Sequence, residues 1–214
     1  MNPLPPMDDA GWHAMALRRT PMQSRSRDKL ARAIAAAEEL VRREGVDAIS
    51  LPRVAAEAGV SVGALYQYLP DREAITMAIV ARYHGRLEQL FDAALERMPA
   101  EVGVTDAVGR LLRSVADVYR DEEFARSLGS VRATTTEAAE ARRAHKQRMA
   151  AKVREMLDRL GLLEGVPAER AAAVARVVFT SADAVMHEAF AAPEPERGLL
   201  VEELERAVRA MLGA

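Results

Sequence analysis

Cysteine is absent from the 214 residues. That excludes disulfides, thiolate metal sites and cysteine nucleophiles, and it fits a reducing compartment. Aromatic residues are scarce, at 4 %. Strands favour aromatic and β-branched side chains, so a chain dominated by alanine, leucine and arginine favours helix. No apolar run approaches the ~18 residues that cross a bilayer. The opening stretch MNPLPPMDDAGWHAMALRR is broken by prolines and aspartates where a signal peptide needs an apolar core. A soluble, cytoplasmic protein that makes no membrane contact is expected. Alternating strand patterns and fixed-period repeats are lacking. So are GxSxG, P-loop and Rossmann glycine patterns, and nothing supports a hydrolase or a nucleotide-dependent enzyme. His13, His84, His145 and His187 are far apart, and HEAFA at 187 has alanine where a zinc motif needs its second histidine. No catalytic residue, metal ligand or cofactor is assigned, and the chain is not read as an enzyme.

Half of the residues are hydrophobic, and the length suits one or two domains with a sizeable core. The net charge is only −2, but it is unevenly spread. Between residues 10 and 36, Arg18, Arg19, Arg25, Arg27, Lys29 and Arg32 face a single anion, Asp28. Such a basic arm often meets nucleic acid.

Residues 1–23 read as a flexible arm, rich in proline. From Arg27 a helical period begins, with Leu30, Ile34, Ala37 and Leu40 or Val41 on one face. Gly45 stops that helix. Ser50 offers an N-cap to a short second helix with Pro52 in its first turn and Val54, Ala55 and Ala58 on its inner face. Gly59 ends it. Ser61 caps a third helix predicted through Tyr68, and Asp71 caps a fourth that runs to about Arg97. Further helices are predicted over Thr105 to about Arg120, Glu122 to Ala133, Glu137 to Leu160, Pro167 to Ala191 and Pro195 to Leu212. The expectation is an all-α protein of about nine helices. A three-helix domain over 24–72 precedes a larger helical domain over 73–214.

LPRVAAEAGVSVGALYQYLPDREA, residues 51–74, describes a helix-turn-helix. Gly59 allows a left-handed turn that a Cβ would resist. Val60 is a small apolar plug. Ser61 caps the second helix where its amides can also meet phosphate. Gly63 and Ala64 let the backbone approach a groove edge. Tyr66 and Tyr68 end in hydroxyls that reach phosphate oxygens. At i and i+2 they cannot share one face, so at least one points away from the core. The Gln67 amide can pair with adenine, and Val62 can meet a thymine methyl. Arg53 and Arg72 can add phosphate contacts. The expected DNA-facing set is Ser50, Arg53, Ser61, Val62, Gly63, Ala64, Tyr66, Gln67, Tyr68 and Arg72.

The stretch AIAAAEELVRREGVDAISLPRVAAEAGVSVGALYQYLPDREAI resembles the tetracycline-repressor-type (TetR) family of bacterial transcription regulators. Val54-Ala55, Ala58-Gly59-Val60-Ser61, Gly63, Leu65-Tyr66, Tyr68 and Arg72-Glu73 match the family pattern at fixed spacing. Ala64 departs from the usual threonine and loses a hydroxyl contact. Leu69 stands for phenylalanine, Arg72 for lysine, and Pro52 for a polar residue near DNA. The match covers about 50 of the 214 residues.

The resemblance implies a homodimeric repressor that binds a pseudo-palindromic operator in double-stranded DNA and is released by a small-molecule effector, apolar by preference. It also implies that the last two helices pair with their copies. The candidate effector-binding residues are the sparse large side chains Tyr83, Phe91, Tyr119, Phe124, Met149, Met156 and Phe179, with Met186 among the apolar set and His84, Arg113 and His187 as polar partners. For each large side chain taken singly, core filling is the better reading, and only the set as a whole suggests a pocket. The alternative is a helical small-molecule- or protein-binding regulator whose helix-turn-helix no longer reads DNA, favoured by Ala64 and Pro52. A metal-dependent helical-bundle enzyme ranks last.

Overall fold

Apolar residues spaced three and four apart build helix after helix in the computed structural model, which describes residues 17, 21–99, 102–119 and 136–213. Among these residues there are eight α-helices and no strand. They are α1 (Ser24–Glu44), α2 (Leu51–Ala58), α3 (Val62–Tyr66), α4 (Arg72–Glu96), α5 (Val104–Tyr119), α6 (Thr136–Arg159), α7 (Ala168–Ala191) and α8 (Glu196–Leu212). A single 3-10 turn, Val46–Ala48, links α1 to α2. The helix expected over Glu122 to Ala133 lies outside the described residues, as do most of the N-terminal arm and Phe124.

Two boundaries differ from the expected ones. Helix α1 begins at Ser24, three residues before the apolar period, because its first turn is polar and exposed and so leaves no periodic trace. Its first turn is closed by the Ser26 and Arg27 N–H groups donating to the Gln23 carbonyl at 3.0 Å. Helix α3 ends at Tyr66 rather than Tyr68. The Tyr68 N–H reaches the Leu65 carbonyl at 3.0 Å, tightening the chain into a turn ahead of Pro70.

The chain forms two compact units. The first comprises the described residues through Gly85, with 136–141. Its core joins Leu30, Ile34, Ala37, Leu40 and Val41 of α1 to Val54 and Ala55 of α2, Leu65 and Leu69, and Ile75 and Ile79 of α4. The second unit comprises 86–119 and 142–213. There α8 packs along α7 and against α5, which also meets α7. Among the described residues no helix is long and apolar enough to cross a membrane.

Candidate nucleic-acid interface and effector cavity

Helix α2 starts where Ser50, in extended conformation, accepts a hydrogen bond from the Arg53 N–H at 3.4 Å. It stops at Gly59, whose φ of 63° and ψ of 40° are left-handed. The Val60 N–H returns to the Ala55 carbonyl at 3.0 Å and the Gly59 N–H to Ala56 at 3.2 Å, so the last carbonyls of α2 are satisfied inside the turn. Ser61 then accepts from the Ala64 N–H at 3.3 Å and opens α3. Leu65 anchors this five-residue helix, since it is 2 % exposed. With Leu65 turned inward, the opposite face is left to solvent.

On that face Gly63, Tyr66 and Gln67 are exposed, whereas Val62, Ala64 and Tyr68 are half-buried on its flanks. Tyr66 is 49 % exposed, one of the few large apolar side chains left so open. The structure thus leaves Gly63, Tyr66 and Gln67 as the solvent-facing edge of α3 and the turn after it. Arg53 of α2 and Arg72 at the start of α4 are both engaged with the end of α1 and the turn after it. The Arg53 guanidinium donates to Glu44 at 2.7 Å and to the Ala48 carbonyl at 3.4 Å. Arg72 donates to Asp47 at 2.6 Å and to the Val46 carbonyl at 3.1 Å. The Arg53 hydrogen bond, with the Arg43 charge also nearby, holds the Glu44 carboxyl below its ordinary range, and the Glu44 bond raises the Arg53 guanidinium. For either arginine, a phosphate contact means exchanging a carboxylate for a phosphate.

The fold adds residues missing from the sequence-derived set. Ser26 and Lys29 at the start of α1 line a small crevice of about 400 Å³ with Val60, Ala64, Gln67 and Tyr68. Lys29 is exposed there. Its position in the basic segment was the available signal. Only the packing of α1 beside α3 singles it out from its neighbours.

In the second unit, Phe91 of α4, Tyr119 of α5, Met149 and Met156 of α6 and Phe179 of α7 line one apolar cavity of about 610 Å³, counting the open space at its mouth. These are five of the sequence-derived effector candidates, and Met186 joins them. Tyr83 and His84 belong to the first unit and do not line it. Arg113 is exposed on α5 and is likewise outside the lining, while Phe124 lies outside the described residues.

His187 stands behind the wall. Its Nδ1 lies 3.2 Å from the Tyr119 hydroxyl and 2.8 Å from the Asp183 carbonyl oxygen. Asp183 is the one charged residue among the described lining, and the sequence reading missed it. The Tyr119 hydroxyl donates to its carboxylate at 3.4 Å, and Lys146 lies 3.5 Å away. The cavity's few heteroatoms are therefore already engaged with one another. Among the described residues no three histidine or acidic side chains come together as a metal site.

Residues 33–79 match the family model described as bacterial regulatory proteins of the tetR family. Residues 104–212, more than half of the chain, match the tetracyclin repressor-like C-terminal domain. The chain therefore belongs to the TetR family, whose members are transcription regulators and not enzymes. Solved structures agree in fold. A tetR-family transcriptional regulator from Streptomyces coelicolor is 19 % identical with a TM-score of 0.66, over 86 % of this chain and 80 % of that one. A putative TetR-family regulator from Mesorhizobium loti is 20 % identical with a TM-score of 0.66, over 89 % of this chain and 98 % of that one. A TetR regulator from a Rhodococcus species is 21 % identical with a TM-score of 0.59, over 89 % and 98 %. No curated protein matches the chain.

Proposed function

We propose that this regulator is a repressor that binds a pseudo-palindromic operator as a homodimer and is released by a small, largely apolar effector. Residues 24–72 read DNA, and residues 73–214 bind the effector and the second copy. The observation that carries the reading is the exposed edge of α3 and the turn after it, with Gly63, Tyr66 and Gln67. Phosphate contacts position such a helix, and base-edge contacts specify it. Tyr66, Tyr68, Lys29 and the caps Ser50 and Ser61 hold the backbone. Arg53 and Arg72 join them by leaving Glu44 and Asp47. Gln67, Val62 and the small Gly63-Ala64 pair set sequence preference.

The dimer reading is supported by apolar side chains that α7 and α8 leave exposed. Val177 is 56 % exposed and Leu199 60 %. On α7, Ala173, Thr180 and Ala184 continue the Val177 stripe with small residues, which suits close helix approach. Two copies would set their recognition helices on half-sites about 34–36 Å apart, or a little more.

The effector reading is supported by the apolar cavity. Helix α4 carries Arg72 at its start and Phe91 in the cavity wall, so a ligand that moves Phe91 acts on the helix leading back to α3. Release requires that the ligand prefer the state that cannot bind DNA. A tenfold loss of DNA affinity needs about 1.4 kcal/mol of such preference.

Selection of bound sequences from random DNA tests the reading. A two-fold symmetric motif with half-sites near one helical turn is expected. No enriched motif, with retained ligand binding in the second unit, would favour the regulator that no longer reads DNA.

A further inference from the structure

Several arginines here have a carboxylate close by: Arg43 meets Glu57, Arg53 Glu44, Arg72 Asp47 and Arg148 Glu88. Arg86, Arg97 and Arg110 are different. They line an open groove of about 1640 Å³ in the second unit, and none of the three guanidinium groups makes an ion pair or hydrogen bond with another described residue. No aspartate or glutamate appears among the groove's described lining residues. Leu90, Met98 and Val102 supply apolar surface between the cations. Phe91, Leu111 and Met156 line both this groove and the apolar cavity, so they form the partition between the two.

We propose that the second unit binds an amphipathic anion, with a carboxylate or phosphate head in the groove that Arg86, Arg97 and Arg110 line and a hydrocarbon tail passing Phe91 and Met156 into the cavity. The proposal rests on the effector reading of this unit and names the effector's chemical class. Three like charges with no carboxylate among the described lining create a potential that draws an anion. Guanidinium forks match carboxylate and phosphate oxygens in pairs. The cavity favours hydrocarbon by burial, and methionine is the side chain that yields most readily at a partition. Asp183 fixes the orientation. It is the one charge in the cavity's described lining, it is already held by Lys146 and Tyr119, and no cation lines the cavity to receive an anionic head, so the head stays in the groove. A neutral ligand would leave the arginines unused, and a cation would be repelled.

Titration calorimetry on the full chain with decanoate, decyl phosphate, decan-1-ol and decyltrimethylammonium, all below micelle formation, tests this. Both anions are expected to bind about tenfold or more tightly than the alcohol, as charge-assisted hydrogen bonds would give. The stronger anion identifies the head group. The double variant Arg97→Gln/Arg110→Gln, at two exposed positions, should lose about tenfold for decanoate and leave decan-1-ol unchanged. Alcohol binding equal to decanoate, or a double variant with unaltered decanoate affinity, overturns the head-group assignment. A folded Met156→Trp variant should weaken every decyl compound, and unchanged decanoate affinity overturns the tail path. Operator release is followed separately by fluorescence anisotropy. Anion binding without release upholds the proposal and defeats the effector reading. Release by decan-1-ol alone does the reverse.

Discussion

Gly59 and Tyr66 show how single residues hold and form the α3 edge proposed to meet DNA. Gly59 sits at φ 63°, with open space around it apart from the Arg32 guanidinium 4.0 Å from where a Cβ would lie. The cost of a side chain there is backbone strain rather than collision. Gly59→Ala should therefore lower stability by about 1–2 kcal/mol, read as a reduced thermal midpoint with unchanged helix content. Tyr66 is the opposite case, since its ring is half in solvent and contributes little to packing. Tyr66→Phe should leave the melting temperature in place and weaken operator binding, with titration by anisotropy as the check. Gln67→Ala should cost about 1–3 kcal/mol of discrimination at one base pair while leaving non-specific binding alone. Competition between single-base operator variants measures that.

Helix against helix, the clearest interaction is the clamp of α6 on α4. The Glu88 carboxylate accepts from His145 at 2.7 Å and from two Arg148 nitrogens at 2.9 Å each. Burial pushes the carboxyl up, but the hydrogen bonds from His145 and Arg148 outweigh it and hold the group at about 2. Because the folded value lies below the ordinary 4.5, the clamp's contribution is fully present above pH 4.5. It is lost as pH falls from there toward about 2. Urea titrations of wild type and Glu88→Gln should differ near neutral pH and converge across that window.

Helical periods, caps and glycine stops were legible in the sequence to within three residues, because they are local patterns. Ser50, Gly59, Ser61 and Asp71 mark their boundaries as read, with Asp71 accepting from the Ala74 N–H at 2.7 Å. The partners of Glu88 were not legible. His145 lies 57 residues away, and nothing in a helical period says which helix will lie beside which. The same reason hid the Arg53–Glu44 and Arg72–Asp47 pairs, which form only when the turn after α1 folds back beside α2 and α4.

For the whole molecule, the helix-turn-helix could be read from one contiguous stretch, whereas the cavity is assembled from five helices. Large apolar side chains fill cores and line cavities alike. Hence the sequence picked out Phe91, Tyr119, Met149, Met156 and Phe179 but also included Tyr83, His84 and Arg113, and it passed over Asp183. The proposed dimer makes a prediction at this scale. Val177→Glu places a charge on the exposed stripe of α7, and analytical ultracentrifugation should show a shift from two-chain to one-chain mass. Operator affinity should fall with it, because two half-sites are then no longer bound by one assembly.

The most direct test of the central claim is fluorescence anisotropy of the full chain on DNA upstream of its own gene, across a salt series, with Tyr66→Ala and Gln67→Ala alongside. The account predicts tight binding whose logarithm falls steeply with the logarithm of salt, as phosphate contacts require. It also predicts that Tyr66→Ala binds more weakly at every salt concentration and that Gln67→Ala loses sequence preference. Binding that ignores both substitutions, or no specific binding there and none after random-sequence selection, would contradict the assignment of the α3 edge to DNA.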